Sequence, residues 1–514
     1  MTAVLDPPQQ LGTGRARAKA LRPGATSSRP DTARTSGHRS LGPVLALIVA
    51  FGSAQRLWHL GSSRFSYDEA FTAMAGRLPL GGLTDFITHH DSHPPLDYLI
   101  HAPFARAGTS EFWFRFPSVV MSIAALALLA WWLRSRRGVA VWATVVMAID
   151  PFQISHGRDA RMYAELEFIG VAVAALTSAW LTRPRTRHAV LLGLLVFFGL
   201  LTHVSMFLLA VGLMTVPGLR RDRAAWQWRS AIASGGLGWA LVWGTHFVIQ
   251  AQGGHSSWIP STTPATLATA VAHLLTLESA LVLPAIAAIV AGGVLIVRAD
   301  RRLARVWFDC FLIPVSIAAV AGLVAPVVLD RTFTLMAWGP VVALAFVLDA
   351  VMRRNRFLGA LAVAAVLVMA LPSAWTIVTR SKGPDAPLRA LEARARPGDI
   401  VAVQPLSKAP ELQWSLGVQT HSSTRQVSVP GHPRAFGIRM GTGASTGRIW
   451  LLNWHAHRTS ANPIPACGPR WGWGNVRIHC LMADTFADQL SGTSTPSTAL
   501  TIRAASRAGG LARR

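Results

Sequence analysis

Acidic side chains are scarce in this chain. The 514 residues include 24 Asp and Glu against 49 Lys and Arg, which gives a formal net charge of +25. Only 14% of the residues are charged and 51% are apolar, with a mean hydropathy of +0.37. Such a composition is unusual for a soluble chain of this length, and repeated apolar runs of about 20 residues are typical of membrane-spanning helices. The sequence therefore predicts an α-helical polytopic membrane protein in contact with a lipid bilayer.

Several recognition signatures are also missing. The sequence contains no P-loop or dinucleotide-binding fingerprint and no Cys/His spacing typical of a zinc site. No internal repeat of the kind found in many transporters is evident. Basic residues cluster at the ends of apolar runs, where membrane topology requires them, so we expect no nucleic-acid partner. The position of the basic residues thus argues against nucleic-acid binding, and the missing fingerprints give no sign of a nucleotide-binding site.

The basic clusters predict the membrane topology, because Lys- and Arg-rich loops stay cytoplasmic. The long apolar run 189–218 has basic clusters at both ends, so we expect two short helices that break near Thr202-His203. The predicted spans number about eleven, at about 41–60, 112–133, 139–155, 164–182, two within 189–218, 229–251, 279–297, 306–329, 333–352 and 357–376.

Four regions are expected along the chain. Residues 1–40 are basic without an apolar stretch, which indicates a disordered cytoplasmic tail and not a signal peptide. Residues 41–376 form the transmembrane module, including an external loop at 61–111. Residues 377–490, with strand-like runs at 399–403 and 448–452, predict a small extracytoplasmic α/β domain, and 491–514 a flexible tail. The expected location is the cell (plasma) membrane, with a cytoplasmic N-terminus.

The three cysteines fit this division of the chain. Cys467 and Cys480 lie in the predicted external domain, where an oxidising environment would permit a disulfide. Whether the two pair is open at this point. Cys310 lies in a predicted span and is expected to be inert packing.

Six of the 24 acidic residues fall in the single loop 61–111. A cluster of carboxylates at a membrane face, in a chain poor in them, indicates a site that removes a proton or binds a cation. Alternatively, the adjacent Asp68 and Glu69 could cap a surface helix that begins near Ala70. The six residues are Asp68, Glu69, Asp85, Asp91, Asp97 and Glu111.

Three predicted external segments can face one another: 61–111, 150–163 and Asp330-Arg331. Together they offer carboxylates, histidines and arginines, which suits one reaction type. A carboxylate takes the proton of an acceptor hydroxyl, while arginines pair with the oxygens of a phosphate leaving group. Arg161 and Arg331 could instead be anchors at the membrane interface.

Short motifs in these segments resemble those of a known superfamily. They are Asp68-Glu69, then His93-Pro94-Pro95-Leu96-Asp97-Tyr98, Ser110-Glu-Phe-Trp-Phe-Arg-Phe-Pro-Ser118, Arg158-Asp-Ala-Arg-Met-Tyr-Ala164 and Trp258-Ile-Pro260. Over about residues 41–376 this order resembles GT-C glycosyltransferases, in particular the bacterial branch akin to protein O-mannosyltransferases and aminoarabinose transferases. The resemblance implies a GT-C fold. It also implies transfer of a mannose-like or arabinose-like sugar from a polyprenyl-phosphate donor to an extracytoplasmic acceptor, which could be protein, lipid or wall glycan.

The resemblance also implies roles for individual residues. Asp68 would be the catalytic base or an acceptor-binding carboxylate, with Glu69 beside it as a second catalytic residue. The substrate-binding residues it implies are His93, Arg158, Asp159, Arg161, Tyr163 and Arg331, of which Arg161 and Arg331 would contact the polyprenyl phosphate. The family usually has Gln-Glu at positions 158 and 159, so the chain departs from the pattern there. The sequence identifies no cofactor and leaves metal dependence open, because Asp68, Glu69 and His93 could hold a divalent cation.

Two other functions stay open from the sequence. A ligase or polymerase of the same superfamily could transfer a larger lipid-linked oligosaccharide. A transporter or flippase could use the same acids for ion coupling, although such proteins usually place charges within their helices at mid-membrane.

Overall fold

The computed structural model describes residues 41–107, 110–218, 221–253, 259, 261–379, 385–396, 399–404, 425–429, 432–439, 448–454, 471–473 and 476–482. The predicted tails at 1–40 and 491–514 therefore lie outside the described residues, as do Trp258 and Pro260. Six of the described helices are long and apolar enough to cross a membrane, or eight if each of two bent pairs is one span. The chain is thus a helical polytopic membrane protein, as its composition predicts.

Eighteen α-helices are described. They are α1 Leu41–Leu57, α2 Tyr67–Gly76, α3 Leu80–His90, α4 Leu96–Arg106, α5 Glu111–Leu133, α6 Arg137–Ile149, α7 Pro151–Gly157, α8 Tyr163–Thr182, α9 Thr186–Thr202, α10 Met206–Thr215, α11 Arg223–Gln252, α12 Pro264–Ala272, α13 Val282–Ala299, α14 Arg301–Trp307, α15 Ile313–Gly322, α16 Trp338–Arg354, α17 Arg356–Thr379 and α18 Asp385–Glu392. A π-helical turn, Phe308–Leu312, joins α14 to α15, and a 3-10 helix, Asp330–Met336, precedes α16.

The long apolar run is broken where the sequence predicts a break. Helix α9 ends at Thr202, because the next residue, His203, adopts an extended backbone with φ −161° and ψ 144°. Helix α10 then begins at Met206. With α1, these two helices are apolar but only 17, 17 and 10 residues long, so they fall below the length of a full span. The count of eleven spans therefore stays a prediction.

Two pairs of helices are bent, and the first bend has an identifiable local cause. Helices α6 and α7 meet at 59°, and Asp150 between them accepts a hydrogen bond from the Phe152 amide at 2.9 Å. Pro151 stands at the first position of α7, where its missing N–H costs nothing. The second pair is the 3-10 helix Asp330–Met336 and α16, which meet at 69°. Both bends lie in segments that were predicted to reach the external face.

The helices pack around a continuous apolar core. Helix α5 packs against α8, α16 against α6 and α13, and α11 against α9. Large apolar side chains on the opposite faces of several helices are exposed, for example Leu241, Leu283 and Phe357, each at least three-quarters exposed. Apolar exposure on this scale is what a lipid-facing surface requires.

The predicted external loop 61–111 is largely helical. It contains α2, α3 and α4, of which α2 packs against α4 and α3 against α11. Helix α2 begins at Tyr67, earlier than the start near Ala70 considered from the sequence, and its capping box is formed by Ser66 and Glu69 without the side chain of Asp68. The loop is therefore an ordered layer of short helices, which holds the candidate site residues at fixed positions.

The C-terminal part of the chain contains a six-stranded mixed sheet. The strands are β1 Ile400–Gln404, β2 Arg425–Val429, β3 His432–Arg439, β4 Arg448–Trp454, β5 Trp471–Trp473 and β6 Val476–Met482, in the spatial order β2-β3-β1-β4-β6-β5. Strands β1 and β4 pair in parallel and the other neighbours are antiparallel. Both strand-like runs seen in the sequence, at 399–403 and 448–452, therefore lie in strands.

The sheet also contains one of the two cysteines of the predicted disulfide. Cys480 is buried in β6 and is disulfide-bonded, whereas Cys467 lies outside the described residues. Cys310 is a buried free thiol. An independent, extracytoplasmic domain at 377–490 stays a prediction.

Candidate functional site

Asp68 stands at the start of a capped helix and points partly into solvent. The hydroxyl of Ser66 accepts a hydrogen bond from the Glu69 amide at 3.5 Å, and Glu69 Oε2 accepts one from the Ser66 amide at 2.9 Å. This capping box begins α2 at Tyr67 and leaves Asp68 in the first turn, where the helix dipole favours a negative charge. The side chain of Asp68 is 43% exposed. It is therefore a carboxylate that a substrate can reach.

Glu69 has entirely different surroundings. Its carboxylate is fully buried and forms a bidentate pair with Arg115 of α5, with Nε–Oε1 at 2.6 Å and Nη2–Oε2 at 2.9 Å. Oε1 also accepts a hydrogen bond from the Ala160 amide at 3.2 Å. The same guanidinium donates to the carbonyl oxygens of Leu60, Ser63 and Arg64. Glu69, predicted to be catalytic, thus joins α2, α5 and the segment before α8.

Arg158 caps the end of α1. Its Nη1 lies 2.8 Å from the Gln55 carbonyl oxygen and 2.6 Å from that of Trp58, and its Nη2 lies 3.4 Å from that of Val378. The last carbonyl groups of a helix have no partners within the helix, so a buried guanidinium satisfies them well. The contacts of Arg158, predicted to bind substrate, are therefore main-chain oxygens at α1 and α17. Its neighbour Asp159 is half-buried.

Arg161 lies beneath α2 at the back of the site. It is only 4% exposed, and its Nη1 donates to Thr72 Oγ1 at 3.0 Å and to the Tyr98 hydroxyl at 3.2 Å. Its Nη2 lies 3.2 Å from His93 Nδ1. Nε has no hydrogen-bond partner among the described residues. A buried guanidinium with one free donor is well suited to an anionic ligand.

A second carboxylate, Asp91, neutralises the positive charge around Arg161. Its Oδ1 lies 2.9 Å from His93 Nδ1, and its Oδ2 accepts a hydrogen bond from Tyr98. Burial alone would raise the pKa of Asp91, but His93 and Arg161, together with the Tyr98 hydrogen bond, outweigh it and hold the pKa below its ordinary value. Burial and the neighbouring Asp91 raise the pKa of Tyr98. The sequence singled out His93 but gave Asp91 no separate role.

Arg331 connects the third predicted external segment to Asp68. Its Nη1 lies 3.6 Å from Asp68 Oδ2 and donates to the Tyr163 hydroxyl at 3.3 Å. The side chain of Arg331 is 32% exposed, so its pair with Asp68 stays in contact with solvent. Thr72 completes the link to Arg161, because its hydroxyl donates to the Asp68 carbonyl at 3.1 Å. Asp68, Arg161, Tyr163 and Arg331 thus belong to one cluster, and their roles toward a substrate stay a prediction.

Two residues near the cluster were not assigned to the site from the sequence. The ring of His203, between α9 and α10, has its centroid 5.4 Å from that of His93, and its Nδ1 accepts a hydrogen bond from the Ser205 amide at 3.0 Å. Gln250, near the end of α11, donates to the Ile87 and His93 carbonyl oxygens, both at 3.0 Å. The predicted helix break drew attention to His203, whereas nothing in the sequence distinguished Gln250 near the end of α11.

A group of potential metal ligands lies away from Asp68, Glu69 and His93. In the part of the chain that the structure describes, one group of His, Cys, Asp or Glu side chains is close enough to hold an ion, and it comprises Asp97, His101 and Glu165. Asp68, Glu69 and His93, which the motifs suggested as ligands, do not form such a group. Glu69 is instead occupied by Arg115.

The cluster at Asp68 combines a reachable carboxylate with two guanidinium groups. A carboxylate so placed can accept a proton, and Arg161 and Arg331 can pair with phosphate oxygens. Neither feature requires a nucleotide-binding fold. No family model and no curated protein matches this chain.

Proposed function

We propose that the chain is a membrane glycosyltransferase that moves a mannose-like or arabinose-like sugar from a polyprenyl-phosphate donor to an extracytoplasmic acceptor. The observation that carries the proposal is the pairing at Asp68. Its half-exposed carboxylate lies 3.6 Å from the guanidinium of Arg331. Arg161 lies behind it, bonded to Thr72 on the same helix as Asp68. A carboxylate and two guanidinium groups are therefore close together, which supports a general base beside a phosphate-binding site.

Each of these groups has a role in the proposed reaction. Asp68 takes the proton of the acceptor hydroxyl while that oxygen attacks the anomeric carbon. The new glycosidic bond forms as the bond from the anomeric carbon to the phosphate oxygen breaks, with inversion of configuration. The polyprenyl phosphate leaves with the bonding electrons, and Arg331 and Arg161 stabilise its charge. The reaction needs no nucleotide and no cofactor.

The membrane topology that we propose is the one predicted from the basic clusters. It has eleven crossings, a cytoplasmic N-terminus and an external domain at 377–490, in a GT-C fold. Contacts among the three predicted external segments support it. Arg331 reaches Asp68, the Ala160 amide reaches Glu69, and Arg161 reaches Tyr98. Segments that meet in this way lie on the same side of the membrane, which allows a donor to enter sideways from the bilayer.

Transfer of a labelled sugar from synthetic polyprenyl-phosphate mannose tests the proposal directly. The full chain in detergent is compared with Asp68→Asn and with Asp85→Asn, which removes an exposed carboxylate from the same segment. We expect Asp68→Asn to lower turnover on the order of 10²–10⁴-fold, because a general base is lost, and Asp85→Asn to behave as wild type.

The outcomes separate the parts of the proposal. Equal release of polyprenyl phosphate by wild type and Asp68→Asn would mean that Asp68 is not the base. If wild type releases none, a polyprenyl-phosphate arabinose donor is assayed next. Transfer from a lipid-linked oligosaccharide alone would identify a ligase or polymerase instead. Failure of all three donors would contradict the proposed function.

A further inference from the structure

Three buried polar side chains meet at a place distinct from the Asp68 cluster. Asp97 and His101 lie one turn apart on α4, and Glu165 lies in the first turn of α8. Their exposed fractions are 2%, 0% and 3%. One possible ligand atom of each lies within 4.8 Å of those of the other two. Two carboxylates and an imidazole are thus enclosed together without contact with solvent.

Among the described residues, the Glu165 carboxylate has no hydrogen-bond partner, and the Asp97 carboxylate has only a contact with His101. His101 Nδ1 lies 3.1 Å from Asp97 Oδ1, but it also lies 2.9 Å from the Asp97 main-chain carbonyl oxygen, which is where a donated proton fits. His101 lies beside Asp97 but leaves Glu165 without a partner, and a buried carboxylate is strongly unfavourable unless it binds a proton or a cation.

We propose that Asp97, His101 and Glu165 form a buried site for one divalent transition-metal cation, of which Zn²⁺ and Mn²⁺ are the best candidates. Imidazole favours transition metals, and carboxylate oxygens are ligands for both of these ions. Two carboxylates and a neutral imidazole carry two negative charges, so one divalent ion leaves the buried group neutral. A monovalent ion would not achieve that balance.

The surroundings of His101 fit the role of a metal ligand. A metal-bound imidazole usually has its other ring nitrogen held by a protein group, which orients the ring. Here Nδ1 lies 2.9 Å from the Asp97 carbonyl oxygen, and Nε2 lies 3.2 Å from Ser118 Oγ of α5. With Nδ1 donating to the Asp97 carbonyl oxygen, Nε2 is the nitrogen that can bind the ion, and the ring orientation is held from its other side.

Such an ion would join α4 to α8 directly behind the candidate site. Tyr98, next to Asp97, donates to Asp91, and Tyr163, two residues before Glu165, accepts from Arg331. The ion would hold these two helices in register and so stabilise the fold without touching a substrate. The inference does not depend on the proposed function, because it concerns metal content and stability.

Metal binding to the full chain in detergent tests the inference. The protein is purified without a metal-affinity tag, stripped with EDTA, and titrated with Zn²⁺ and with Mn²⁺. The matched variants are Glu165→Gln and Glu167→Gln, because Glu167 is equally buried on the same helix but accepts its hydrogen bond from Ser122. Thermal unfolding of each protein is then measured with and without EDTA.

In the titration, we expect wild type and Glu167→Gln to bind one ion per chain tightly. We expect Glu165→Gln to bind that ion more than roughly tenfold more weakly. EDTA should lower the unfolding midpoint of wild type but not that of Glu165→Gln, because only wild type has an ion to lose. Should Glu165→Gln fail to fold, Glu165→Asp serves instead, with weakened binding expected. Wild type that binds neither ion, or binding equal in wild type and Glu165→Gln, would overturn the inference and assign the charge balance to bound protons.

Discussion

The carboxylate of Asp91 and the guanidinium of Arg161 neutralise each other's charge next to the Asp68 cluster. The pKa of Asp91 would rise through burial alone, but His93 and Arg161 lower it below its ordinary value. Asp91 therefore stays ionised and keeps His93 in place through the 2.9 Å contact with Nδ1. Arg161 donates through Nη1 to Thr72 and Tyr98, while its Nε has no hydrogen-bond partner among the described residues.

The lowered pKa of Asp91 gives a pH dependence of stability with a definite sign. The unfolded value is about 3.9, so the stabilisation is fully present above about pH 5 and is lost as the pH falls from there through the lower folded value. The unfolding midpoint of wild type should exceed that of Asp91→Asn most at pH 7, and the difference should shrink toward pH 3. Asp85→Asn, at an exposed position, should show little difference at either pH. If the midpoints of wild type and Asp91→Asn differed by the same amount at pH 7 and pH 3, Asp91 would not have a lowered pKa in the folded protein.

At the scale of elements, the start of α2 depends on Glu69. Its carboxylate caps Ser66 and pairs with Arg115 from a position 46 residues away in sequence. Breaking a buried ion pair by removing one partner costs about 3–5 kcal/mol, because the remaining charge stays buried. Glu69→Gln should therefore lower the unfolding midpoint strongly, whereas Asp68→Asn should leave it nearly unchanged.

The unfolding midpoint in detergent, measured together with sugar-transfer activity, distinguishes a structural role of Glu69 from a catalytic role. We expect Glu69→Gln to lose activity in proportion to its loss of folded protein. The opposite result, a wild-type unfolding midpoint with a loss of turnover as large as that of Asp68→Asn, would restore Glu69 as a catalytic residue. Arg115→Lys should reproduce the stability defect, because Lys cannot form the bidentate pair.

The helices that could be predicted are those marked by a local sequence pattern. Apolar runs marked the long helices, and the basic clusters around 189–218 required the break at His203. Contacts between distant positions left no such signal. Nothing in the sequence paired Glu69 with Arg115, placed Arg158 on the carbonyl groups of α1, or joined Asp97 to Glu165. Motif positions were therefore easier to find than the roles of their side chains.

At the scale of the molecule, three described segments that are separate in sequence meet at one cluster. Asp68, Arg161 and Arg331 come from three segments, and each is held by a helix end or a short helix near the predicted external face. Asp97, His101 and Glu165 form a second buried group between α4, in the segment 61–111, and the first turn of α8. The proposed chemistry and the proposed ion therefore require the same side of the membrane for 61–111, 150–163 and 330–331.

Labelling of single cysteines in intact cells tests that sidedness. The variants Asp85→Cys, on α3, and Thr186→Cys, at the start of α9, place thiols at exposed positions in segments predicted to be external and cytoplasmic. The native Cys310 is buried and Cys480 is disulfide-bonded, so their background should be low. A membrane-impermeant maleimide should label Asp85→Cys in intact cells and Thr186→Cys only after permeabilisation, because basic loops stay cytoplasmic. The reverse pattern would place the Asp68 cluster inside the cell and exclude an extracytoplasmic acceptor.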